Sequence, residues 1–179
     1  MRKVVLYALL SADGVAESPD RYVFDWDEAM DANLARVIGT QDAVLLGRRT
    51  YDEWAPHWPT ADVQPFADFI NSVPKYVFTA TEPDVPWPGT TVVETPAERF
   101  VRNLKTQPGA DIGIHGSIQL ARTLLAADLV DELQLVISPT LLGVGRKLFA
   151  DGDPTRRLTL TQVKGTPSGA VLATYGVRT

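Results

Sequence analysis

The sequence predicts an α/β domain with a mostly parallel central sheet and a C-terminal antiparallel hairpin. Three observations support this. Strand-like and helix-like segments alternate along most of the chain, the pattern of strands joined by crossover helices. Short apolar runs end on glycine-containing turns at Gly14, Gly47 and Gly116. The last two strand-like segments flank only the turn Pro167-Ser168-Gly169, and so short a connection joins antiparallel neighbours.

Val4–Leu10 is an apolar run with β-branched and aromatic members, closed by Asp13-Gly14. Asp25 to Ile38 reads as a helix because Trp26, Met30, Leu34 and Ile38 recur every four residues, with Asp25 and Glu28 at capping-box spacing and Gly39 as the stop. Ala43–Leu46 is a buried strand running into Gly47-Arg48-Arg49-Thr50-Tyr51, which opens a short helix. Residues 55–65 are rich in Pro and Trp and read as loop; Phe66–Val73 is helical and ends before Pro74.

Tyr76–Thr79 and Val92-Val93 are strands, and Thr95-Pro96-Ala97-Glu98 is a helix start with cap, first-turn proline and third-position glutamate. That helix runs to about Lys105 with Phe100, Val101 and Leu104 inward. Ile112–Ile114 is a strand, Gly116-Ser117 opens a helix buried through Ile118, Ala121, Leu124 and Leu125, and Leu133–Ser138 is a strand. Leu158–Val163 and Ala170–Val177 form the hairpin. With no repeat and no low-complexity linker, the 179 residues read as one domain.

The chain is 45% hydrophobic and 22% charged with a net charge of −5, and it contains no basic run. It therefore lacks the electrostatic footprint for nucleic acid or an anionic membrane surface. With no cysteine, and two histidines far apart at His57 and His115, a metal site is unsupported. The first apolar run is too short for a signal core, and no stretch approaches the ~20 residues of a membrane span, so a cytoplasmic protein is expected.

Ligands in open α/β sheets bind past the carboxyl ends of the strands. Three such ends carry suitable residues. At Gly47-Arg48-Arg49-Thr50, glycine lets a ligand approach the backbone, and a helix start presents free N–H groups beside two arginines and a hydroxyl. At Gly116-Ser117-Ile118, a strand again meets glycine and then a helix; a plain turn accounts for this segment equally well. Thr79 and Thr81 offer hydroxyls after a strand, as polar loop starts also do. Together they fit a ligand with several phosphates, such as a dinucleotide. Gly143-Val144-Gly145 lacks the third glycine of the dinucleotide fingerprint, and neither a phosphate loop nor a nucleophile elbow exists.

The chain resembles the dihydrofolate reductase-like superfamily, in particular the reductase domain of the riboflavin-biosynthesis deaminase/reductase and its stand-alone relatives. The resemblance rests on Ser11-Ala12-Asp13-Gly14, Leu46-Gly47-Arg48-Arg49-Thr50-Tyr51, Lys75–Thr79, Gly116-Ser117-Ile118-Gln119-Leu120, Val130-Asp131-Glu132-Leu133 and Ser138–Phe149, in the family's order. No upstream zinc motif stands for a deaminase domain.

The resemblance implies a three-layer fold and an NADPH cofactor. Gly47, Arg48, Arg49 and Thr50 would hold its phosphates, Thr79 and Thr81 would border the adenosine, and Gly116, Ser117, Ile118 and Leu120 would lie against the pyrophosphate and nicotinamide. The doubled arginine favours NADPH over NADH. A small-molecule substrate would lie between the Ser11–Gly14 loop and the helix near Trp26, with Tyr51 close by. Asp13, Asp25 and Asp27 are the candidate proton donors, although each also suits a turn or a helix cap. The activity implied is reduction of a small heterocycle, with 5-amino-6-(5-phosphoribosylamino)uracil as the first candidate. Dihydrofolate reduction and a non-catalytic NADPH sensor are the alternatives, and a homodimer is expected from the relatives.

Overall fold

The computed structural model describes residues 1–177. Eight strands form one sheet in the order β4-β3-β2-β5-β1-β6-β8-β7. They are β1 (Val4–Leu10), β2 (Gln41–Gly47), β3 (Lys75–Phe78), β4 (Thr90–Val93), β5 (Asp111–His115), β6 (Glu132–Ile137), β7 (Leu158–Gly165) and β8 (Val171–Val177). The first six pair in parallel, and β6–β8 and β7–β8 are antiparallel. The helices are α1 (Glu28–Ile38), α2 (Arg48–Trp54), α3 (Phe66–Ser72), α4 (Ala97–Thr106) and α5 (Ile118–Ala126).

The layers follow from strand alternation. Val4, Leu6, Ala8 and Leu10 of β1 join Leu45 of β2 in a core shared with Val101 and Leu104 of α4 and Leu120, Ala121, Leu124 and Leu125 of α5. The alternate residues Val5, Tyr7, Val44 and Leu46 pack against Met30, Leu34, Val37 and Ile38 of α1 and Phe66 and Ile70 of α3. A period of two buries both faces of the central strands, which is why they read as continuous apolar runs.

Four sequence expectations are corrected. Helix α1 begins at Glu28, and its cap is Asp27, whose Oδ1 accepts the Met30 N–H at 3.0 Å; Asp25 lies outside it. Asp27 wins because its other oxygen accepts the Ser168 N–H at 2.9 Å from the β7–β8 turn, a tertiary contact. Trp26 therefore precedes the helix, and it is 39% exposed instead of continuing the buried stripe. Helix α4 starts one residue late, at Ala97, with Pro96 at the cap position and no side-chain cap from Thr95.

Lys105, on the inner face of α4, is buried, and its Nζ donates to Asp131 Oδ2 at 2.5 Å and to the Leu129 carbonyl at 3.2 Å. Asp131 Oδ2 also accepts the Val4 N–H at 2.7 Å, tying β1, α4 and the entry to β6 together. Removing one partner of a buried pair strands the other charge. Asp131→Ala is expected to lower stability by roughly 2–3 kcal/mol, less than for a fully enclosed pair because Asp131 keeps some solvent. Chemical denaturation checks this, and Lys105→Met with Asp131→Leu should recover part of the loss.

Candidate functional site

Strand β5 ends at His115, which pairs opposite Tyr7 of β1, so residues 8–10 of β1 run on past it. On the other side, β2 continues to Gly47 and turns into α2. A crevice opens where β5 stops short between its two parallel neighbours, the ligand position expected for an open α/β sheet. The crevice is a cavity of about 940 Å³. That is near the upper end of the ~300–1,000 Å³ of ligand pockets, room for a cofactor and a small second ligand.

Two helix starts lie side by side on the wall of this crevice. The Gly47 N–H donates to Ser117 Oγ at 2.9 Å, so Ser117 links the β2 and β5 ends and does not cap α5. The N–H groups of Ile118, Gln119 and Leu120 are thereby left without a side-chain cap, and all three residues line the cavity. Gly116 turns the chain at φ +67°, a conformation that favours glycine, and a side chain there would stand 3.0 Å from the Trp54 ring and 3.4 Å from Thr50 Cγ2. Gly47 has ordinary backbone angles, and a methyl group there would meet nothing closer than Ser117 Oγ at 3.7 Å. The protein's own packing therefore leaves space at Gly47 on the cavity wall.

Arg48 is held rigidly. Its Nε donates to both oxygens of Asp52 at 2.8 and 2.9 Å, and its Nη1 donates to Thr81 Oγ1 at 2.7 Å, the Thr81 carbonyl at 3.0 Å and Thr79 Oγ1 at 3.4 Å. Nη2 has no protein partner among these contacts. Thr79 and Thr81 lie outside the cavity wall and orient Arg48 instead. Arg49 is exposed and pairs with Glu53 at 3.2 Å. Thr50 lines the cavity and donates to the Gly116 carbonyl at 3.3 Å.

The residues expected at the substrate end separate. Trp26 lines the cavity; Ser11, Gly14 and Tyr51 do not. Tyr51 is buried, donating to the Val85 carbonyl at 2.9 Å beside the Trp87 ring. Ser11 Oγ accepts the Val15 N–H and donates to Asp13, shaping the turn. Asp13 accepts the Leu142 and Gly143 N–H groups at 3.0 and 2.8 Å; these contacts and the Ser11 hydroxyl hold its carboxyl well below the usual range. Asp27 is likewise held low, chiefly by the Ser168 N–H, and Asp25 is exposed. None of the three carboxylates expected to donate a proton lines the cavity. The acids that do are Glu17, Asp31 and Glu53. Asp31 sits on α1 and accepts Trp26 Nε1 at 2.6 Å.

The cavity floor was not foreseen. Trp54, Trp58, Phe66, His115 and Tyr7 form a row of rings, with centroids 5.8 Å apart for Trp54–Trp58, 4.8 Å for Trp58–Phe66, 5.3 Å for Phe66–His115 and 5.7 Å for His115–Tyr7. Trp58 lies in the stretch read as loop and Trp54 four residues before it, and that spacing is the signal the sequence offers. His115 Nε2 is 2.8 Å from Gln41 Oε1, and burial pushes its pKa down to about 3, so the ring is neutral at physiological pH.

The strand order β4-β3-β2-β5-β1-β6-β8-β7, parallel up to its C-terminal antiparallel hairpin, with helices on both faces, is a dihydrofolate reductase-type fold. Residues 2–172 match the family model of the RibD C-terminal domain, and the chain belongs to that family. The chain is similar to two Bacillus subtilis proteins. YyaP is 29% identical over 97% of this chain and 94% of its own length; YwjB is 31% identical over 91% of each. A pyrimidine reductase-like protein from Corynebacterium diphtheriae shares the fold at a TM-score of 0.74, with 19% identity over 99% of this chain and 92% of that one. Among the described residues, no helix is long and apolar enough to cross a membrane.

Proposed function

We propose that the protein is an NADPH-dependent reductase of a small heterocyclic compound. The observation that carries this reading is the fixed Arg48 guanidinium, locked by Asp52 and Thr81 with Nη2 left over, in a cavity that two glycine-led helix starts also line. A preoriented guanidinium suits a phosphate monoester such as the adenosine 2′-phosphate. The N–H groups of residues 118–120 suit a pyrophosphate, and the space beside Gly47 accommodates a close-lying chain. Arg49 and Thr50 would complete the phosphate contacts, and Ile118 and Leu120 would border the nicotinamide. When bound, the reduced nicotinamide supplies the hydride. Of the acids that line the cavity, Asp31, which is in no ion pair among the described residues, would deliver the proton to the acceptor.

Arg48→Ala should weaken NADPH roughly 10–100-fold, the loss of one or two charge-assisted hydrogen bonds, and leave NADH nearly unchanged. Calorimetric titration measures both. No binding of NADPH to the unaltered protein would overturn the proposal. The phosphoribosylamino-uracil expected from the family is the first acceptor to assay, followed by dihydrofolate.

We further propose a homodimer through the β7–β8 hairpin. Cross-strand register puts Leu158, Leu160, Val163 and Gly165 on the same face as Val177, Tyr175, Ala173 and Val171, because the irregularity between Leu160 and Gln162 preserves the facing. That face carries no charge in a chain of net charge −5, and Leu160 and Val163 are 52% and 58% exposed. A second copy meets no repulsion there and covers an otherwise open edge. Leu160→Lys with Val163→Glu should halve the mass measured by light scattering; an unchanged mass, or a monomeric parent, would remove the dimer.

A further inference from the structure

A second concavity, of about 170 Å³, lies between α1 and the β7–β8 hairpin. Cross-strand register sets Gln162 opposite Thr174 and Lys164 opposite Leu172, so these side chains share one face of the hairpin. By strand alternation it is the reverse of the face that carries Leu160 and Val163. From α1 come Ala29, Ala32, Asn33 and Arg36, three or four residues apart along one side of the helix.

The charged groups that line this groove are both cations, Arg36 and Lys164, in a chain of net charge −5. Lys164 is in no ion pair among the described residues. Arg48, Arg49, Arg122, Arg146 and Arg156 each hold a carboxylate. Arg36 is held by neutral amides instead: its Nη2 donates to Asn33 Oδ1 at 2.9 Å and to Gln134 Oε1 at 3.0 Å. Gln134 is only 3% exposed, and its Oε1 also accepts the hydroxyl of buried Thr174 at 2.9 Å. Buried side chains thus orient the guanidinium, while its Nε and Nη1 have no hydrogen-bond partner among the described residues. Glu132 joins this network through Gln134 Nε2 at 2.5 Å, but it pairs with Lys3 and does not line the groove.

Two cations gathered at one small concavity repel each other until an anion lies between them. A preoriented guanidinium, an ammonium and side-chain amides form a donor set suited to an oxyanion. The volume is below the ~300 Å³ at which pockets for drug-sized ligands begin, which excludes a nucleotide. We propose that the groove binds a small oxyanion of the phosphate type, held between Arg36 and Lys164 with the Gln162 amide as a further donor. No lining residue is shared with the large cavity, so the site does not depend on the NADPH reading.

The test is a titration with inorganic phosphate, followed by amide NMR at constant ionic strength set with sodium chloride. Saturable shifts are expected at residues 32–36 and 162–164. Phosphate can also enter the large cavity at Arg48, and Arg48→Ala should leave the groove shifts in place. Lys164→Gln, an exposed change on the edge strand, should weaken phosphate at the groove about tenfold, the loss of one charge-assisted hydrogen bond. Lys164→Arg should keep most of the affinity. Glycerol 3-phosphate distinguishes the sources: tighter binding than phosphate assigns the groove to a small phosphate ester, and weaker binding to the free ion. Groove shifts that are absent, fail to saturate, appear equally with chloride, or persist at full affinity in Lys164→Gln would overturn the proposal. Shifts confined to residues 47–50 and 117–120 would do the same and leave the cofactor assignment standing.

Discussion

Gly113→Ala should lower stability by about 2–3 kcal/mol, because the buried end of the Gln41 side chain must move aside. Gly113 lies in the middle of β5, and a methyl group there would overlap Gln41 Oε1 and stand 2.8 Å from both Gln41 Cδ and His115 Nε2. The glycine is needed for the Gln41–His115 hydrogen bond that crosses over it, at 2.8 Å between residues 74 apart in sequence. The substitution adds overpacking, worth about 1–3 kcal/mol, to the loss of a buried polar pairing of similar size. For a domain of this length that corresponds to a fall in Tm of roughly 5–10 °C. Thermal denaturation measures it. The double variant Gly113→Ala with Gln41→Ala, which gives the methyl group room, should recover part of the loss. Additive losses would show that the crowding lies elsewhere.

A comparable effect is expected from acid. His115 titrates near 6.5 when unfolded but is pushed down to about 3 in the fold, because burial disfavours the imidazolium. Between those values the unfolded chain binds a proton that the folded chain does not. The stabilisation is therefore complete above pH 6.5 and is lost as pH falls toward 3. The slope approaches about 1.4 kcal/mol per pH unit below pH 6, so roughly 2 kcal/mol should disappear between pH 6.5 and 4.5. Urea denaturation at a series of pH values should show the slope in the parent protein and lose it in His115→Gln. A slope that persists in the variant would assign it to other groups.

Much of the architecture was legible because it depends on local periodicity. Both faces of β1 and β2 are buried, so their runs are uninterruptedly apolar, and α5 shows its inner face through Ala121, Leu124 and Leu125. The glycine-led turns at Gly47 and Gly116 were legible for a related reason: each marks the point where a strand gives way to a helix. Less accessible was anything set by a distant partner. Asp25 and Asp27 are equivalent as caps until the Ser168 N–H arrives from the far hairpin. Ile118 was assigned to the core, yet it is only half-buried and lines the cavity, because the sheet ends beneath it. Asp31 resembles any polar residue on the outer face of an amphipathic helix. It becomes a wall of the site only because β5 stops at His115 and leaves the crevice open beside α1.

By itself, the amino-acid sequence determined the order and type of the elements, the pairing of the last two strands and the two helix starts that flank the site. These follow from spacing of two and of about 3.6 residues and from glycine at turns, which act within a few residues of one another. Tertiary structure alone decided which carboxylates face the cavity, that Thr79 and Thr81 support Arg48, and that Trp54, Trp58, Phe66 and His115 form one floor. Those outcomes depend on distances between segments tens of residues apart, which pattern along the chain does not encode and only the packing of helices onto the sheet sets.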